Sequence, residues 1–257
     1  MPFFRGPGRP RVFAHRGGCA LGPENTIAAF DRGLAAGADG LELDIHLSAD
    51  GIAVVCHDQT LDRTTNTTGP VSARTAAELS RVDAGYRFTD NAGGHPFRGQ
   101  SVHIPTLGEV LERYPDVPII VEMKPDSEEM GLVLAAEVLK ANAVDRVCAA
   151  GYGSRSLTAA RAALPSMASS ASRSEVRLAL YRSWAGWPPM HPRYGGYQVP
   201  EHAGSLRVVS RRFIRHAHRA GLEVQLWTID EAADMQRLLG WGVDALISNR
   251  PDLAVTV

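Results

Sequence analysis

Short apolar runs recur down the chain with helix-patterned stretches between them, and this alternation restricts the fold more than any other feature. The runs are Val12 to His15, Gly40 to His46, Ala53 to His57, Ile119 to Lys124, Val147 to Ala150, Met167 to Ser170, Gly196 to Val199, Val224 to Thr228 and Ala245 to Ser248. Helix patterns fall at Pro23 to Ala36, Thr106 to Tyr114, Met130 to Asn142, Ser154 to Leu164 and Val209 to Ala220, most of them closed by a following glycine or proline. A parallel sheet covered by helices follows, and 257 residues suit either one β/α barrel or two small domains. Residues 59–105 break the rhythm. Their "TTNTTGP" and "DNAGGHPFRGQ" predict a loop-rich insertion after the second barrel strand region, with one short helix at Ala76 to Leu79. Ala185 to Gly204, rich in proline, glycine and aromatics, is either a second lid or a long surface loop.

Side chains alternate across a strand, so "LELDIH" puts Glu42, Asp44 and His46 on one face and Leu41, Leu43 and Ile45 on the other. In "IIVEMKP", Glu122 and Lys124 oppose Val121 and Met123 in the same way. An isolated strand would turn such charges to water. Parallel strands under helices have no wet face, so these groups belong inside a barrel, at the C-terminal mouth where catalytic side chains gather. Glu42, Asp44 and Glu122 would converge there and repel one another unless a cation neutralised them. Oxygen-only ligation favours Mg²⁺ or Ca²⁺ over zinc, with Mn²⁺ also compatible. The alternative is a metal-free ion network in which Glu42 or Glu122 pairs with Arg16 or Lys124.

His15 and His57 end the runs "VFAH" and "AVVCH", which brings both imidazoles to the same mouth. Imidazole serves as base or acid near neutral pH, and cleaving a phosphodiester requires both. Arg16 offers a planar fork for phosphate oxygens and Lys124 a point charge. The other histidines, His46, His95, His103, His191, His202, His216 and His218, read as hydrogen-bonded structural residues.

The formal charge of −1, from 27 basic and 28 acidic residues, leaves no broad positive field for nucleic acid. Cys19, Cys56 and Cys148 have no metal-type spacing and suit a reducing compartment. No stretch approaches the roughly 20 apolar residues of a membrane span, and the first residues lack a signal-peptide core. The expectation is a cytoplasmic enzyme without a stable membrane anchor.

Taken in order, "HRGG", "PENT", "ELD", "HD", "VEMKP" and "LWTID" resemble the glycerophosphodiester phosphodiesterase family, over about His15 to Pro251. The resemblance implies a single (β/α)8 TIM-barrel domain over residues 1–257. It implies metal-dependent hydrolysis of a small glycerophosphodiester to glycerol 3-phosphate and an alcohol. His15 and His57 would be the acid/base pair, Glu42, Asp44 and Glu122 the metal ligands, and Arg16 and Lys124 the phosphate contacts. Trp227 would line the alcohol pocket, and Glu24 and Asn25 would brace the catalytic loop or cap the first helix. Two positions depart from the pattern: Asp230 stands where an asparagine is expected and Asn249 where relatives are often acidic, which bears on substrate preference. The rival readings are a lysophospholipase D-like activity on single-chain lipids and a noncatalytic phosphodiester-binding barrel.

Overall fold

A computed structural model describes residues 2–4, 8–188 and 192–257. His191, with Pro189 and Met190 of the aromatic-rich stretch, lies outside the described residues. In chain order the strands and helices are β1 (Arg11–His15), α1 (Ile27–Ala35), β2 (Gly40–Leu47), β3 (Ala53–Val55), α2 (Ala76–Leu79), α3 (Leu107–Arg113), β4 (Ile119–Met123), α4 (Glu128–Lys140), β5 (Val147–Ala150) and α5 (Arg155–Ala163). They continue with β6 (Ala168–Ser169), α6 (Arg173–Ala185), β7 (Gly196–Val199), β8 (His202–Ala203), β9 (Leu206–Arg207), α7 (Arg211–Arg219), β10 (Glu223–Leu226), α8 (Ala232–Leu239), β11 (Ala245–Ser248) and α9 (Pro251–Ala254). Eight of the strands run parallel in the order β6, β5, β4, β2, β1, β11, β10, β7. A parallel bridge between Ser170 and Gly196 joins the two ends, giving a (β/α)8 barrel.

Two packed layers follow from strand parity. Leu41, Leu43 and Ile45 point outward into the core between barrel and helices and are fully buried, each side chain stabilising by about 1.5–3 kcal/mol. The opposite parity fills the bore with Phe13, Ile120, Cys148, Ala168, Ala245 and Ile247. A 3-10 turn at Pro2–Phe4 closes the N-terminal end. There Phe3 stacks on Phe13 at 5.8 Å, and the Phe3 carbonyl accepts from Arg11. Arg11 also donates to Glu223, whose carboxyl is pushed up by burial, and Gln225 links Glu223 to Gln198. These buried polar groups are all hydrogen-bonded, as such a layer requires.

Several expected boundaries shift. The run Ala53 to His57 is not a barrel strand: β3 pairs antiparallel with β2, Ile45 opposite Val55. Helix α1 starts at Ile27 rather than Pro23, because Thr26 has extended backbone and its hydroxyl caps the Ala29 N–H. Helices α6 and α8 were not anticipated. Between β3 and α3 the loop-rich stretch wraps its own small core of Val54, Leu61, Val71, Leu79, Val82 and Ile104. No helix among the described residues is long and apolar enough to cross a membrane.

Candidate active site

Strand register, added to parity, builds the site. His15 lies opposite Glu42 across the β1–β2 pair, and Asp44 lies opposite Glu122 across β2–β4. Neighbouring strands are about 4.8 Å apart, so the three acidic groups converge: Glu42, Asp44 and Glu122 have carboxylate oxygens all within 4.8 Å of one another. Lys124 sits against two of them, its Nζ donating at 2.8 Å to Asp44 Oδ1 and to Glu122 Oε1. The lysine therefore begins as a counter-charge within the acidic cluster.

Glu42 has no such partner. Its Oε2 accepts from the Arg16 backbone N–H at 3.0 Å, and the nearest basic side-chain atom is His15 Nε2 at 3.9 Å. Burial, and then repulsion from Asp44 and Glu122, drives the Glu42 carboxyl well above the usual carboxylate range. Asp44 is buried too, which alone would raise it. Lys124, Arg16 and the Asn25 amide outweigh that and hold it below its ordinary value. A buried carboxyl pushed up by like charge, in an all-oxygen donor set, is relieved by a hard divalent cation. The residues present fit such an ion. The metal-free network is also partly visible, in the Lys124 contacts and in Arg16 Nε at 3.4 Å from Asp44.

The loop after β1 is shaped to these contacts. Arg16 and Asn25 are left-handed at φ 50° and 59°, and Gly17 follows at φ 86°. A Cβ on Gly17 would stand 2.7 Å from the Phe30 ring. Asn25 and Asp44 exchange two hydrogen bonds, amide to Oδ2 at 2.8 Å and Asp44 N–H to the amide oxygen at 3.2 Å. Glu24 accepts from Arg16 at 2.9 Å and from both Nη atoms of Arg63 at 2.7 Å. "PENT" thus braces the loop with Glu24 and Asn25 and caps α1 with Thr26.

The two imidazoles are held differently. His57 follows β3 into the mouth, and its Nδ1 bonds Asp58 Oδ1 at 2.6 Å. Asp58, though burial opposes it, is lowered to about 2 by Arg63 and His57. His15 Nδ1 donates at 2.6 Å to the Asn249 amide oxygen. The Asn249 nitrogen in turn donates to Asp230 Oδ2 at 2.7 Å, while Ser248 Oγ and the Asn249 N–H donate to Asp230 Oδ1. An amide oxygen only accepts, so the proton is on His15 Nδ1 and Nε2 is left facing the cavity. Burial lowers the pKa of His15, which favours the neutral ring. The departure at position 249 therefore touches the imidazole itself, and the one at position 230 holds Asn249 in place. Their mutual geometry was hidden because 18 residues separate them in the chain. Of the remaining histidines, His46 bonds the His57 carbonyl at 3.1 Å and His218 bonds Asp244, both structural contacts.

His15, Arg16, Glu42, His57, Glu122, Lys124 and Trp227 all border one cavity of about 860 Å³ at the C-terminal end of the barrel; Asp44 lies beneath it. Trp227 stands just past β10, its ring edge-on to Tyr152 at 5.8 Å. Tyr152 was missed, having no neighbouring motif, and so was Arg63, whose role depends on the fold of the insertion.

The sequence profile of the Glycerophosphoryl diester phosphodiesterase family matches residues 15–253. A glycerophosphodiester phosphodiesterase of Caldanaerobacter subterraneus subsp. tengcongensis is 33% identical over 254 residues, covering 96% of each chain. Among solved structures, an Oleispira antarctica phosphodiesterase in complex with the product sn-glycerol-3-phosphate is 26% identical, with a TM-score of 0.78 and 96% of each chain covered. The phosphodiesterase domain of Rv2277c from Mycobacterium tuberculosis, at 22% identity, shares the fold with a TM-score of 0.83, covering 96% of this chain and 98% of that one.

Proposed function

The chain belongs to the glycerophosphoryl diester phosphodiesterase family and is a phosphoric diester hydrolase, and on that premise we propose that it cleaves glycerophosphodiesters to glycerol 3-phosphate and an alcohol by histidine acid/base catalysis at a divalent cation site. The observation that carries this reading is the meeting of two imidazoles with a cluster of three carboxylates, of which Glu42 and Glu122 line the same cavity and Asp44 lies beneath it. Glu42, Asp44 and Glu122 would hold the cation, Mg²⁺ or Ca²⁺ with Mn²⁺ also compatible. When bound, such an ion neutralises charge building on the phosphoryl oxygens and helps orient the diester. Residues 1–257 act as one catalytic unit, with residues 59–105 as an insertion that supplies Arg63 to the bracing of the mouth.

The chain's own groups divide the remaining work. His15 presents an unprotonated Nε2 and is the base that takes the proton of the attacking oxygen, either that of water or that of the substrate's neighbouring hydroxyl, whose cyclic phosphate a water then opens to glycerol 3-phosphate. His57, its Nδ1 against the ionised Asp58, delivers a proton to the departing alkoxide. Arg16 and Lys124 contact the phosphate oxygens, Lys124 after exchanging part of its hold on Asp44 and Glu122. Trp227 walls the side on which the alcohol leaves.

The test is turnover of glycerophosphocholine, read as glycerol 3-phosphate released, before and after chelation and after return of Mg²⁺, Ca²⁺ or Mn²⁺. The expected result is loss on chelation and recovery with at least one ion. Full turnover in the stripped protein would establish the metal-free network instead.

A further inference from the structure

The formal charge of −1 is unevenly spread. From Arg173 to Arg219 the chain carries nine arginines against two acidic residues, Glu175 and Glu201, a surplus of seven positive charges that the rest of the sequence offsets. Both glutamates are already taken. Glu175 accepts from Arg161 at 2.9 Å and Glu201 from Arg237 at 2.8 Å, arginines that lie outside the stretch. Of the nine, only Arg207 comes within ion-pair distance of a carboxylate among the described residues, at 3.9 Å from Glu201. The fold gathers this charge on one side, because α6 packs against α7 and Arg212 donates to the Trp184 carbonyl at 2.7 Å where they meet.

Aromatic rings share that side. The four exposed aromatic residues among those described are Tyr152, Tyr181, Trp184 and Trp187. Tyr181 and Trp184 meet edge-on at 5.6 Å, and the Arg182 guanidinium lies 5.7 Å from the Trp187 ring centre. Arg173, Arg177, Tyr181 and Trp184 recur every third or fourth residue, so α6 presents them together, and with Tyr152 they border the mouth of the cavity. Leu178 and Leu206 are exposed beside them. Aromatic and aliphatic side chains left in water, ringed by unpaired arginines, mark an interaction surface.

We propose that this rim docks reversibly on an anionic lipid bilayer, with the arginines against the headgroups and the aromatic rings at headgroup depth. Indole and phenol rings favour that depth, and an anionic surface attracts each nearby arginine. The charge argues against a second copy of the chain, since that contact would set one basic face on another. Leu178 and Leu206 argue against a nucleic acid, because they have no π-face on which a base could stack and gain only by leaving water. Docking is independent of the chemistry in the cavity, so glycerophosphocholine turnover reports on the hydrolase reading separately.

The experiment co-sediments the full chain with vesicles of phosphatidylcholine alone, or of phosphatidylcholine mixed with phosphatidylglycerol. Expected is partitioning onto the mixed vesicles only, lost as salt rises from roughly 0.1 to 1 M and the screening length falls from about 10 to 3 Å. Arg177→Gln and Arg212→Gln each lower the partition coefficient about fivefold, the factor equivalent to about 1 kcal/mol. Brominated phosphatidylcholine in the mixed vesicles quenches the tryptophan fluorescence, and Trp184→Phe with Trp187→Phe removes most of that quenching. The wild-type salt series and quenching stand whether or not a variant folds. Three results would each overturn docking: no binding to the mixed vesicles at low salt, equal binding to both vesicle types, or binding without quenching. A chain that dimerises, or that holds a single-stranded oligonucleotide, while ignoring vesicles overturns it too.

Discussion

His15 and His57 reach the same mouth with different partners, a neutral amide for one and an ionised carboxylate for the other. His15→Ala and His57→Ala each lower kcat about 10²–10⁴-fold with much smaller changes in KM, measured by steady-state kinetics on glycerophosphocholine. Asn249→Ala removes the acceptor that fixes the His15 tautomer. It lowers kcat by roughly 10–100-fold, the usual effect of losing an orienting partner, while KM moves little. The Nδ1 proton signal of His15 in ¹⁵N NMR loses its hydrogen-bonded shift in the same variant. The side chains that gather at the mouth were legible in the sequence because "VFAH", "LELDIH" and "VEMKP" each combine strand parity with a polar group that a helix-covered barrel can place only there. Asn249 and Asp230 were recognised only as departures. The contact of Asn249 with His15 depends on β11 pairing with β1, which no local pattern announces.

At the scale of elements, register turns parity into a site. A slip of one residue between β1 and β2 would carry Glu42 out of the bore and bury Leu41 in its place. The expected α4, α5 and α7 formed because each has one apolar face and a clear stop. Helix α6 was not anticipated because its sequence, "RSEVRLALYRSWA", has no clean apolar face: Ala179, Leu180 and Ser183 are buried, while Arg173, Arg177, Tyr181 and Trp184 line the cavity. Pro23 likewise misled the start of α1, since the true cap is Thr26 and the residues before it are recruited to brace Arg16 and Asp44. Helix α4 approaches α5 closely at Gly131, where a Cβ would meet the Ser156 carbonyl and stand 2.8 Å from the Ala159 side chain. Gly131→Ala therefore destabilises by about 1–3 kcal/mol in chemical denaturation, with kcat close to wild type because neither helix carries a reacting group.

At the scale of the whole molecule, the proposed cation site predicts that proton, cation and stability are coupled through Glu42. In the metal-free protein its folded-state value is raised above the unfolded one, so the associated stability is present below the ordinary carboxylate range and is lost as pH rises through the raised value. A bound divalent ion reverses that loss. The rise in Tm on adding Mg²⁺ or Ca²⁺ should grow from acid toward alkaline pH, and calorimetry in buffers of different ionisation enthalpy should detect a proton released on binding. A Tm increment independent of pH would contradict this coupling. At the far end, Phe3 is almost wholly buried against Phe13 and Arg11. Phe3→Ala costs about 3 kcal/mol of stability, read by thermal unfolding, and leaves kinetic constants unchanged because the site is at the opposite mouth. The N-terminal turn also makes the bore a blind well rather than a tunnel. Incoming diester, departing alcohol and departing phosphate ester all use one doorway, so whichever product lingers there keeps the next substrate waiting outside.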